Sequence, residues 1–202
     1  TVILSSTELA GGERDPEKTK QYVEGIRAES LRMKALVEDM LTLARTESGA
    51  KQTLDAVNLS DTVLESALAF EPVAFESGRE LSYDIQPELT VRGSAVQLRR
   101  LADILLDNAM KYALDSAPVR IGLKKEKAGV VLRCLNACAE LPQEELNKLF
   151  DRFYRPDKSR SSETGGFGIG LSIARSIAQA HKGTIKAAAP QPGIIEFTAV
   201  LK

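Results

Sequence analysis

The chain has 202 residues, 43% of them hydrophobic and 27% charged, with a net charge of −1. That length holds one domain or two small ones, and that composition is ordinary for a soluble globular protein. The charge balance argues against nucleic acid, no apolar run reaches the roughly 18 residues of a membrane helix, and no signal peptide is visible. In chain order, Thr1 to Ala10 is a short apolar-periodic stretch, followed by a turn at Gly11-Gly12-Glu13-Arg14-Asp15-Pro16. Asp15 reads as an N-cap with Pro16 at the first helical position. A long helix then runs to about Glu47. Its Tyr22, Ile26, Met33, Leu36, Met40 and Leu43 fall on alternating three- and four-residue steps, with Glu29 in the one polar slot. Val23, Val37, Leu41 and Ala44 widen this stripe beyond a two-stranded seam, so a helical bundle completed by a second copy of the chain is expected.

Ser48-Gly49-Ala50 marks a boundary, and the pattern beyond it is mixed. Gln52 to Val57 reads as a strand. A helix capped by Asn58 or Ser60 runs to about Ser77, is kinked at Pro72 and is closed by Gly78. Leu81 to Ile85 and Leu89 to Arg92 read as strands, and Ser94 caps a helix ending near Ala113. Val119 to Leu123 and Val130 to Leu135 are strands with Gly129 between them, and Pro142 to Phe150 is a short helix. A polar stretch, Asp151 to Gly166, precedes a helix from Gly168 to Ala180. Thr184 to Ala188 and Ile194 to Leu201 close the chain as a hairpin. The sum is an α+β sandwich: a mixed, largely antiparallel sheet with three helices on one face, preceded by a helical hairpin.

Two clusters carry chemistry. Asn108, Lys111 and Tyr112 share one helix face at i, i+3 and i+4. An amide oxygen suits Mg²⁺, which takes few protein ligands, and a nearby ammonium can neutralise phosphate. Taken alone this is also the pattern of a polar helix edge. The second cluster is Gly165-Gly166-Phe167-Gly168-Ile169-Gly170-Leu171-Ser172. Glycines admit backbone close to a ligand, and the following helix points free N–H groups at an anion. The loop does not follow a strand and lacks a Gly-Lys-Ser/Thr ending, so it is neither a dinucleotide fingerprint nor a P-loop. Between the clusters, Phe150 and Phe153 read as anchors of a cationic lid carrying Arg155, Lys158 and Arg160 as candidate phosphate contacts. Cys134 and Cys138 with one histidine are too few for a structural zinc site and read as free thiols.

These motifs, in this order, resemble those of sensor histidine kinases, within the ATPase group shared with gyrase and MutL. Leu106 to Tyr112 is similar to the N box, Phe150 to Phe153 to the F box and Gly166 to Gly170 to the G2 box. Thr1 to Glu47 resembles the end of the first helix and all of the second in the dimerisation and phosphotransfer domain, with Glu29, Arg32 and Met33 matching its Glu-x-x-Arg-Met. The resemblance implies a division into a dimerisation hairpin, residues 1–49, and a catalytic ATP-binding domain, residues 50–202. It implies transfer of the γ-phosphoryl of Mg-ATP to a histidine, then to an aspartate of a response-regulator receiver domain. Asn108 would hold Mg²⁺. Lys111, Tyr112, Arg155, Lys158 and Arg160 would orient phosphates. Gly166, Gly168, Gly170 and Leu171 would form the closing loop. The partners implied are a second copy through residues 1–48 and a receiver domain, with no nucleic acid. The setting implied is the cytoplasmic side of a bacterial cell membrane that anchors the parent protein.

Three departures from the family pattern stand out. His181, the only histidine, lies at a helix C-terminus, where a cation is a usual structural choice. The phosphoacceptor is therefore expected about seven residues before Thr1, as the His of a His-Glu-Leu-x-Thr-Pro run. Asn136-Ala137-Cys138-Ala139-Glu140 occupies the place of the G1 box, where the family has an Asp that accepts from the adenine amine. Asn136 keeps an acceptor oxygen but no charge. A nucleotide-blind dimeric relay or phosphatase module is the alternative this change raises. Ile104 stands one turn before Asn108, where many members carry a second Asn.

Overall fold

The computed structural model describes residues 2–47, 54–156 and 167–202. It divides into two compact units, Thr1–Thr42 and Leu43–Lys202. The first holds α1 (Val2–Gly12) and most of α2 (Pro16–Glu47). The turn is shorter than its glycines suggest, because α1 continues through Gly12. Asp15 caps α2, its Oδ1 accepting from Glu17 N–H at 3.0 Å. No residue of α1 is buried. Val23, Met33, Val37, Met40 and Leu41 of α2 remain about half exposed (48–54%), so the described residues leave the apolar stripe uncovered.

The second unit contains β1 (Asp55–Asn58), α3 (Leu59–Glu76), β2 (Leu81–Ile85), β3 (Thr90–Gly93), α4 (Ala95–Tyr112), β4 (Val119–Glu126), β5 (Gly129–Ala137), α5 (Gln143–Lys148), α6 (Gly170–Ala180), β6 (Thr184–Gln191) and β7 (Ile194–Leu201). Five strands form a sheet in the order β2-β4-β5-β7-β6, and β1 pairs with β3 in a separate two-stranded ribbon. Only β2 with β4 is parallel; the remaining ladders of the large sheet are antiparallel. Strand alternation separates its faces. Ile121, Leu123, Leu132, Cys134, Phe197 and Ala199 are buried against Leu98, Leu101 and Leu105 of α4 and Ile173 and Ile177 of α6. The opposite face carries charge: Arg133 pairs with Glu126 and lies 3.8 Å from Glu196, and Lys124 pairs with Asp84. α3, α4 and α6 thus cover one face, as the sequence pattern requires.

Several boundaries differ for identifiable reasons. Asn58 caps α3 by accepting from Asp61 N–H. Ser60 instead bridges, its hydroxyl donating to Gln86 O at 2.7 Å and accepting from Leu89 N–H at 2.9 Å. α3 runs unbroken through Pro72. β5 extends past Leu135 because Asn136 is paired on both sides, with Val119 and with Ile195. α6 starts at Gly170, since Gly168 has φ +72 and cannot be helical. The β6–β7 hairpin turns at Pro192-Gly193, with Gly193 at φ +73.

His181 is not the helix-end cation its position suggests. It is buried, its Nδ1–H donates to Ile177 O at 2.8 Å, and its Nε2 accepts from Ser94 N–H at 3.0 Å. A ring with one proton satisfies both bonds. Ser94 occupies the N-cap of α4 without a side-chain bond, so His181 ties the end of α6 to the start of α4. Gly93 lies beneath the ring: a Cβ there would meet His181 Cδ2 at 2.5 Å and Nε2 at 2.7 Å. Because two hydrogen bonds hold that ring, it cannot swing aside freely.

Gly93→Ala should therefore lower unfolding free energy by about 1–3 kcal/mol in denaturant titrations, and by less in a His181→Ala background. Burial pushes the Cys134 thiol up to about 12. The folded state then favours the protonated thiol, and this stabilising contribution is complete below the ordinary thiol value of 9.0 and lost as pH rises from there towards 12. The stability difference between the native chain and Cys134→Ala should accordingly shrink across that alkaline window and be flat below it.

Candidate functional site

The site is assembled around the last two turns of α4. Leu101 and Leu105 are fully buried and fix the helix on the sheet, which turns Asn108, Lys111 and Tyr112 away from the core. Asn108 is half-buried, and its side chain makes no hydrogen bond among the described residues. Lys111 Nζ lies 2.7 Å from Asp107 Oδ2, an exposed i,i+4 pair worth only tenths of a kcal/mol and readily exchanged for a stronger anion. Tyr112 is 40% exposed.

β5 supplies the other wall. Cys134 and Asn136 alternate onto the helix-facing side of the sheet, and Cys134 donates weakly to Leu105 O at 3.5 Å. Asn136 is 2% exposed. Its Nδ2 donates to Ala137 O at 3.1 Å, while its Oδ1 is buried without a partner among the described residues. Such an atom is disfavoured by about 1–3 kcal/mol unless a ligand donates to it. Leu114 N–H, just past α4, also donates to Ala137 O, at 2.9 Å. That bond ties the end of α4 to the end of β5. It was not legible in the sequence, because backbone bonds leave no residue signature. A groove of about 300 Å³ lined by Cys138, Leu141, Leu146, Pro190 and Ile195 runs beside this end of β5; it takes in Cys138, Ala139 and Glu140 of the G1 place but not Asn136.

The third wall is the glycine loop. Phe153 N–H donates to Gly168 O at 2.9 Å. A Cβ on Gly168 would lie 2.9 Å from Tyr154 O and 3.0 Å from Phe153 C. The two ends of the lid are therefore in backbone contact. Phe150 is buried edge-on to Phe197 at 6.2 Å, and Arg175 sits 5.9 Å over its ring while reaching Asp151 at 3.6 Å. Only this first aromatic is an anchor. Phe153 is 61% exposed with φ 62, because its backbone turns to meet Gly168 and releases the ring to solvent. Arg155 is half-buried. Lys158, Arg160 and Gly166 lie outside the described residues. Leu171 is buried at the start of α6, where Gly170, Leu171 and Ser172 carry the first-turn amides that a helix leaves without internal partners. Ile104 is buried, its Cγ2 3.5 Å from where a Gly170 Cβ would stand, so the position that lacks an Asn instead seats α4 against α6.

Comparison with known proteins matches this architecture to a family. The model described as histidine kinase-, DNA gyrase B-, and HSP90-like ATPase covers residues 93–202. The His kinase A phospho-acceptor domain model covers residues 1–49. The chain belongs to the sensor histidine kinases. Among curated relatives, the sensor protein DltS of Streptococcus agalactiae is 33% identical over 83% of this chain and 42% of its own length. The probable sensor protein PcoS of Escherichia coli is 37% identical over 92% of this chain and 40% of its own length. The chain thus spans about two fifths of these sensor kinases. In fold it is similar to the histidine kinase AdeS of Acinetobacter baumannii, with a TM-score of 0.76 and 20% identity over 100% of this chain and 93% of that one. It is also similar to ShkA solved with AMPPNP, with a TM-score of 0.75 and 20% identity over 98% of this chain and 41% of that one.

The two loop glycines of this kinase chain are not equivalent. Gly168→Ala places a side chain at φ +72 against backbone and should lower stability by about 1–3 kcal/mol. Gly170→Ala meets only ordinary contact and should change it by no more than about 0.5 kcal/mol, both read by thermal unfolding.

Proposed function

We propose that this chain is the core of a two-component sensor kinase that binds Mg-ATP and delivers the γ-phosphoryl to a histidine preceding Thr1. The phosphoryl then passes to an aspartate of a receiver domain. Residues 1–49 form the dimerising phosphotransfer hairpin and residues 50–202 the catalytic domain. The parent is a membrane-anchored sensor with this part on its cytoplasmic side. Among the described residues no helix is long and apolar enough to cross a membrane.

The observation that carries the ATP reading is the buried, unpartnered Oδ1 of Asn136, facing the helix layer at the N-box end of α4. It suits the exocyclic amine of adenine. At the phosphate end, the α6 amides and Lys111, released from Asp107, would neutralise charge, with Tyr112, Arg155, Lys158 and Arg160 orienting the chain of phosphates. Gly166, Gly168 and Gly170 allow the lid backbone to approach. Asn108 has an amide oxygen without a partner among the described residues, a ligand type that fits Mg²⁺. The metal, when bound, supplies charge neutralisation on the phosphates. The family model and the AMPPNP complex of a structural neighbour support the same reading. His181 is an unsuitable acceptor, since both ring nitrogens are bonded and the ring is buried. The uncovered stripe on α2 supports a homodimer through residues 1–48.

Calorimetric titration of Mg-ATP should give micromolar-range binding that weakens at least tenfold in Asn136→Ala, about 1.4 kcal/mol for one buried hydrogen bond. Binding unchanged in the variant would remove Asn136 from the adenine. No binding to either protein would sink the kinase reading and favour a nucleotide-blind dimeric relay.

A further inference from the structure

Two hydrogen bonds meet on the peptide unit by which the chain leaves α4. Ala113 caps the helix with ψ 141, so beyond it the helical ladder no longer fixes the backbone. The Leu114 N–H of that peptide donates to Ala137 O at 2.9 Å, and its Ala113 C=O accepts from Arg79 Nη2 at 3.0 Å. We propose that Arg79, which lies outside every motif read from the sequence, is a positioning residue for nucleotide binding: its guanidinium clamps the end of α4 and so holds Lys111 and Tyr112 in place for the phosphates. The inference rests on the Mg-ATP reading above and deepens it.

Arg79 is itself held firmly. It follows Gly78, whose φ of +63 turns the chain out of α3. Its N–H donates to Ala74 O at 2.9 Å, and the neighbouring Glu80 O accepts from Val119 N–H at 2.8 Å. The side chain is only 13% exposed, and its Nε is buried without a partner among the described residues. Asp115 Oδ1 lies 3.9 Å from Nη2 on a fully exposed side chain. So long and solvent-screened a pair does little to offset the burial of a cation. The close contact is the Ala113 carbonyl, at the negative end of the α4 dipole, where a cation is favoured. An apolar side chain could fill the same space without burying a charge. What the guanidinium adds is a fixed direction for the peptide. Lys111 and Tyr112 stand immediately before that peptide, on the last turn of α4, the part of a helix that frays most readily when untied.

The test uses the whole chain, native and as Arg79→Met, Arg79→Lys and Asp115→Asn. Mg-ATP affinity is read by calorimetry well below the unfolding temperature, where a loss of global stability alone leaves the affinity of the folded chain unchanged. Amide exchange is read by NMR. Arg79→Met should weaken Mg-ATP at least about fivefold and speed exchange of the Leu114 amide by a similar factor, with the amides of β5 unchanged. Arg79→Lys, whose ammonium can still reach the carbonyl, should bind within about threefold of the native chain, and Asp115→Asn within about twofold. If Arg79→Met does not fold, Arg79→Gln, polar but too short to reach the carbonyl, carries the same expectation. A smaller loss of affinity, or a loss matched by faster exchange throughout β5, would overturn the clamp while the ATP reading stands. An Asp115→Asn loss as large as that of Arg79→Met would overturn it too. Failure of the native chain to bind Mg-ATP would overturn both readings.

Discussion

Helix α4 is the reference for everything functional in the second unit, and burial of one leucine-rich face is what holds it. Leu98, Leu101 and Leu105 are fully buried on the sheet. At about 25 cal/mol per Å² of apolar surface, such burial outweighs any single polar contact nearby. Once that face is seated, the helix has no rotational freedom left, and Asn108, Lys111 and Tyr112 must point where they do. Three tethers then fix the helix along its length. His181 bonds the N–H of Ser94 at its start, Ile104 meets the first residue of α6 midway, and Leu114 N–H bonds Ala137 O just beyond its end.

Those tethers connect the helix to the other walls of the candidate site. The same Ala137 oxygen that accepts from Leu114 also accepts from the Asn136 side chain. The N-box end of α4 and the adenine candidate are thus linked by one carbonyl. On the opposite side, the Phe153–Gly168 backbone bond sets the two ends of the lid together, and Phe150 anchors that junction on Phe197.

The first unit follows a different logic. Its helices bury almost nothing within one chain, yet their apolar stripe is regular. The proposed homodimer would cover this stripe, as a helix with so broad an apolar face needs. The match to the phospho-acceptor domain model over residues 1–49 agrees with that reading.

Local rules made much of this legible. Asp15 and Asn58 as caps, Gly78 as a helix stop and the period-two strands β2, β4, β5 and β7 depend on neighbours within a few residues, and they occur where such rules put them. Asn108, Lys111 and Tyr112 share a face because helix geometry alone dictates it. Tertiary structure decided the rest. Asn136 belongs to β5 rather than to a loop because strands on both sides pair with it, which no local pattern encodes. Phe153 is released to solvent because its backbone must meet a glycine fifteen residues later. His181 is a one-proton bridge rather than a cation because the Ser94 amide, eighty-seven residues away, arrives beside it. Sequence by itself determined which groups the chain has to offer and their spacing within each element. Contacts between distant segments determined which of those groups are buried and which are satisfied, and they leave the Oδ1 of Asn136 among the buried atoms without a partner in the described residues.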